Sequence, residues 1–150
     1  MKGFGNNDRA NKKAIVKKTF NLQKDKLISN AISLQSSGKI KEALKIYNFL
    51  IQNNIYDPRV LNNLGSIYSQ LNQFDKAILL FDESIKKFPN SVEAYTNLAN
   101  IMVAKGRNDA AKKILNKVIV LKPQHLRPYS ILAGIFVGEG DLKKAEFFLK

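Results

Sequence analysis

The side chains here that could meet a ligand are amides, hydroxyls and lysines; the groups used in covalent catalysis are scarce. There is no cysteine, and His125 is the single histidine in 150 residues. A disulfide framework, a thiolate zinc site and a cysteine nucleophile are thereby excluded. So are a metal site of several imidazoles and a histidine pair acting as acid and base. Gly3-Phe4-Gly5 and Gly138-Glu139-Gly140 are glycine pairs that lack the rest of a phosphate loop. No cofactor is expected. Asn63 and Asn97 are more informative. They stand 34 residues apart, and each carries the donor and the acceptor that suit the backbone of an extended peptide. Lys86-Lys87, Lys112-Lys113 and Lys143-Lys144 could neutralise phosphates. No aromatic residues are interleaved to stack bases, so these pairs read as solvated helix faces, with no specific nucleic-acid partner.

Charge divides the chain. The net +13 comes from 25 basic and 12 acidic residues. Residues 1–26 hold Lys2, Arg9, Lys12, Lys13, Lys17, Lys18, Lys24 and Lys26 against Asp8 and Asp25, which is +6. Residues 1–22 are therefore expected to be a basic, flexible leader and 23–150 the folded body. A hydrophobic fraction of 45% supplies a core of ordinary globular size. No apolar run approaches the roughly 20 residues that span a bilayer, and no apolar stretch of a secretory signal follows the first lysine. The expected setting is cytoplasmic.

What must position these groups is a repeat. Ala43, Ala77, Ala111 and Ala145 are each 34 residues apart, as are Ala31, Gly65, Ala99 and Ala133. Gly38, Asn72, Gly106 and Gly140 keep the same step. Larger apolar columns follow it: Leu27, Leu61, Tyr95, Tyr129; Leu34, Tyr68, Met102, Phe136; and Tyr47, Phe81, Leu115, Leu149. Within a unit the pattern is helical. Val60, Leu61, Leu64, Ile67 and Tyr68 follow i, i+3, i+4, i+7 spacing. A break at Gln70–Gln73 precedes a second amphipathic run from Phe74, stopped at Phe88-Pro89-Asn90 because proline restricts its predecessor. The glycine and asparagine column falls in the turn between helices, where a left-handed backbone is cheap. The two small columns let paired helices approach closely.

Leu61, Leu64, Gly65, Tyr68, Ala77, Phe81 and Pro89, repeated at this period, resemble the tetratricopeptide repeat. Residues 24–57, 58–91 and 92–125 read as full units and 126–150 as a fourth, cut short in its second helix. The first unit departs by carrying Ile55 where the closing proline stands, which leaves the end of its second helix open. The resemblance implies an all-α, right-handed α-solenoid of stacked helix-turn-helix hairpins, with first helices lining a concave groove. By that register the groove presents Arg59, Asn62, Asn63 and Ser66; Glu93, Thr96, Asn97 and Asn100; and Arg127 and Ser130. Asn63 and Asn97 resemble the asparagine ladder by which some relatives hold peptide backbones, with Ser29 and Ile131 interrupting it. The lysines and arginines of the chaperone-binding carboxylate clamp are replaced by Ile28, Ile32, Glu93 and Asn97. Tyr95 and Tyr129 are expected in the core, and His125 at a cap.

The expected function is binding of a protein or extended peptide in the groove, without catalysis. The alternative is an N-terminal recognition module of a larger glycosyl-, sulfo- or hydroxyl-transferring enzyme, of which the chain is a fragment. The run Ala145-Glu146-Phe147-Phe148-Leu149 stops within an amphipathic helix. This is expected to mark a fragment, or else an edge through which the chain associates.

Overall fold

The computed structural model describes the backbone of residues 4–149 and side chains from residue 15 to residue 149. Eight helices occur among them: α1 Phe4–Ser36, α2 Ile40–Gln52, α3 Pro58–Gln70, α4 Phe74–Lys87, α5 Val92–Ala104, α6 Asn108–Leu121, α7 Leu126–Gly138 and α8 Leu142–Leu149. They form two compact units, one ending at Ile55 and one beginning at Tyr56.

The first helices all end alike. Gly38, Asn72, Gly106 and Gly140 have φ of +79°, +57°, +71° and +78°. Each directs its own N–H and that of the next residue back to the last turn, as in Gly106 N to Val103 O and Arg107 N to Met102 O, both 2.8 Å. This Schellman arrangement satisfies carbonyls that the helix end would leave bare. The helices α4 and α6 stop differently. Phe88 and Lys122 are extended (φ −132° and −149°) because Pro89 and Pro123 follow them. The first unit, without that proline, ends α2 with Asn54 at φ +56°. Ile55 N reaches Leu50 O at 2.9 Å, so asparagine closes the helix in proline's place.

In the first unit, α1 packs on α2. Ile28, Ala31, Ala43, Tyr47 and Leu50 are fully buried, and the Tyr47 hydroxyl donates to Gln35 Oε1 at 3.0 Å. The expected leader is residues 1–22; its residues 1–3 lie outside the described residues, and 4–22 are helical and continuous with the first repeat helix. The reason is local: from residue 6 to residue 37 there is neither glycine nor proline to break α1. Ile15, Val16, Phe20 and Leu22 on this stretch are exposed.

The second unit stacks three hairpins, α3–α4, α5–α6 and α7–α8. Among the described residues α3 touches α5 and α5 touches α7, whereas α4, α6 and α8 do not meet one another. The first helices thus form the inner row of an all-α solenoid. Lying between neighbours, α5 buries most of its circumference, including Ala94, Tyr95, Leu98, Ala99, Ile101 and Met102. Ala77, Phe81, Ala111, Leu115, Leu132 and Ile135 complete one continuous core. Small residues set the helix spacing, and Phe81 and Leu115, both fully buried, fill the space at about 1.5–3 kcal/mol each.

Candidate functional site

The polar positions of the inner row fall into three groups. The first consists of side chains committed to holding helices in place. Asp57 is the N-cap of α3, with Pro58 in the first turn, and its Oδ1 accepts the Arg59 N–H at 3.0 Å. Arg59 Nε and Nη2 then donate to Asp57 Oδ1 and Oδ2, both at 2.9 Å. This two-point fork ties the guanidinium to the cap. Thr96, expected in the groove, is 1% exposed, and its hydroxyl donates to Val92 O at 2.8 Å. Threonine hydroxyls readily turn back to the preceding helical carbonyl, so Thr96 presents no group to a ligand. Asn62 Nδ2 donates to Ser91 Oγ at 3.2 Å, and its Oδ1 is buried without a protein partner. Asn62 therefore ties α3 to the start of α5.

The second group stays at the surface. Asn97 Nδ2 donates to Ser66 Oγ at 3.3 Å, which joins α3 to α5 and brings these two expected site residues together. Asn63, Asn97 and Asn100 are half-buried. Asn63 and Asn100 form no hydrogen bond among the described residues. Side-chain amides on adjacent helices thus keep donor and acceptor capacity.

The third group lies at the edges. Glu93 is exposed and lines a cavity of about 290 Å³ with Asn90, Val92, Leu121 and Lys122. Ser130, whose hydroxyl is 3.5 Å from Leu126 O, lines one of about 360 Å³ with Pro123, Leu126, Tyr129, Phe148 and Leu149. Arg127 is exposed. Tyr95 joins Val92 and Val118 in a buried cluster. Tyr129 is half-buried and donates its hydroxyl to Pro123 O at 3.0 Å. His125 is the N-cap residue of α7, though its side chain makes no capping bond.

The lysine pairs divide. Lys112 is held by Glu139 at 2.9 Å and Asp109 at 3.2 Å, and the hydrogen bond to Glu139 raises its pKa first among several causes. Lys86, Lys87, Lys113, Lys143 and Lys144 are exposed on the second helices. Among the described residues no group of three metal-binding side chains occurs, and no helix is long and apolar enough to cross a membrane.

At this site Asp57 and Ser91 are not singled out in the sequence analysis. Both stand immediately before a helix and are of N-cap type, and Asp57 also precedes a proline, which was the available signal.

Two family models described as tetratricopeptide repeat match residues 29–92 and 73–135. The chain belongs to the tetratricopeptide repeat family, and family and fold together make it a protein-interaction scaffold. It is 31% identical over 121 residues to BBSome complex member BBS4 of Bos taurus, covering 81% of this chain and 23% of that protein. It is 33% identical over 94 residues to a probable UDP-N-acetylglucosamine–peptide N-acetylglucosaminyltransferase of Arabidopsis thaliana, covering 63% of this chain and 10% of that one. The chain thus spans less than a quarter of these relatives' lengths. Among solved structures it is similar to the first tetratricopeptide domain of Spaghetti (RPAP3) bound to an HSP90 peptide. The TM-score is 0.69 at 22% identity, covering 76% of this chain and 90% of that one.

Proposed function

We propose that the inner row of the second unit binds an extended peptide, with Asn63, Asn97 and Asn100 meeting the peptide's backbone amides and Ser66 supporting Asn97. The observation that carries this is the pairing of α3 with α5, which sets half-buried carboxamides on adjacent helices. An amide offers a donor and an acceptor at one point, matching a peptide unit without regard to the ligand's side chains. The solved relative in complex with an HSP90 peptide supports peptide binding by this fold. The binding is non-covalent, needs no cofactor and belongs to a cytoplasmic setting.

The test is a pull-down with wild type and with Asn63→Ala plus Asn97→Ala, followed by titration of a recovered peptide. Each lost bond is worth about 0.5–1.5 kcal/mol, so affinity should fall about tenfold or more while the melting temperature stays close to wild type. Equal recovery of the same partners would remove the groove contact. The transferase relative favours a second reading, in which these repeats serve as the recognition module of an enzyme. Under that reading the recovered peptides would be substrates of a transfer reaction carried out by a domain in the same polypeptide.

A further inference from the structure

The first unit carries a second surface, independent of the inner row of the second. Helix α1 has 33 residues against 13 for its partner α2. Where the end of α2 meets α1, a cavity of about 320 Å³ opens, lined by Phe20, Lys24, Leu27, Phe49 and Ile55 together with polar Gln23 and Asn53. Phe20 is 52% exposed and Phe49 51%, so two rings from two helices face solvent across one apolar hollow. Around it the charge is one-sided. Residues 1–55 hold eleven basic side chains against Asp8, Asp25 and Glu42; Lys24 lines the cavity, and Lys17, three residues before Phe20 and so about 60° from it around the helix, is exposed on α1.

We propose that this hollow docks an acidic amphipathic segment of another protein. One or two of its apolar side chains would enter between Phe20 and Phe49, and its carboxylates would lie over the lysines of α1. Both halves of the proposal follow from chemistry on the surface: an apolar concavity selects an apolar anchor, and a net charge of +8 on the unit draws in and orients a negative partner. A second copy of the chain would bring two such positive units together. A bilayer fits less well, because a helix turns about 100° per residue. Ile15 and Leu22 consequently lie on a different side of α1 from Phe20 and Leu27, and no single face gathers the apolar residues as a membrane-surface helix requires.

The test uses the full chain and a fluorescein-labelled 16-residue peptide with Leu and Phe at i, i+3, i+4, i+7 and Glu elsewhere. The expected result is saturable binding that weakens with added salt and falls about tenfold in Phe20→Ser and in Phe49→Ser. Lys17→Glu, at an exposed position, should lower affinity without touching the fold. The Lys-for-Glu peptide should not bind, and Asn63→Ala plus Asn97→Ala should leave binding unchanged, which separates this surface from the groove. The proposal is overturned if the acidic peptide does not bind, if the three first-unit substitutions leave its affinity intact, or if the asparagine variant abolishes it. It is also overturned if what Phe20→Ser and Phe49→Ser remove is binding to phosphatidylserine vesicles or poly(U), or self-association seen by sedimentation.

Discussion

The ring of Phe81 occupies the space that a side chain at Gly65 would need: a Cβ placed there would lie 2.6 Å from Cε1 and 2.8 Å from Cζ. Phe81 is fully buried, so the ring cannot swing out to make room. Gly65→Ala should therefore cost about 1–3 kcal/mol, although alanine is the better helix former by about 0.5–1 kcal/mol. The third unit shows the compensated pair, Ala99 with Leu115. Adding Gly65→Ala to Phe81→Leu should then cost little or stabilise. A urea-melt double-mutant cycle reads the coupling; additive effects would mean that the two sites do not share this space.

Much of this was legible in the sequence, because the period fixes backbone demands at particular positions. The four turn residues from Gly38 to Gly140 had to tolerate positive φ, and they do. Pro89 and Pro123 had to end their helices, and they do. The side-chain commitments were not legible. Thr96, Asn62 and Arg59 lie at groove positions by register, yet each found a nearer partner: the Val92 carbonyl, Ser91 and Asp57. Register places a Cβ on a helix face to within a step of about 100°, whereas a hydroxyl or guanidinium chooses its partner over a few ångström. Asn54 was missed for a similar reason. Asparagine closes a helix only if the chain then turns, and no proline marked that turn.

Ala77 belongs to the small column that brings α4 against its neighbours, and it is fully buried. Ala77→Leu should overpack the contact and lower stability by about 1–3 kcal/mol. The shift should appear as a lower urea midpoint with an unchanged slope. A midpoint equal to wild type would contradict the close approach assigned to this column.

Ser84 stands in a column with Leu50 and Val118. All three are fully buried, and the Ser84 Oγ has no hydrogen-bond partner. A buried hydroxyl without a partner costs about 1–3 kcal/mol. Ser84→Ala removes that cost and leaves a small void, so stability should rise by about 1 kcal/mol. Ser84→Val, which copies the next unit, tests whether the site also has room. A loss of stability in both variants would mean that the hydroxyl is bonded in solution.

The carboxylate that precedes the last helix makes two bonds to Lys144. Asp141 stands immediately before α8. Its Oδ1 accepts the Lys144 N–H at 3.1 Å, and its Oδ2 lies 2.7 Å from Lys144 Nζ. The side-chain bond to Lys144, and then the backbone bond, hold the Asp141 pKa below its ordinary 3.8. A lowered carboxyl pKa contributes stability that is present above the unfolded value and lost as pH falls through the folded one. The α8 helix should therefore loosen below pH 3.8, seen as ¹³Cα shifts of Ala145 and Phe148 moving toward coil values before the remaining helices respond. Asp141→Asn keeps an acceptor for the backbone N–H but drops the charge. It should show partly frayed shifts at neutral pH with no acid step. Asp141→Ala loses both and should fray at every pH. An unchanged acid step in the asparagine variant would assign it to another carboxylate.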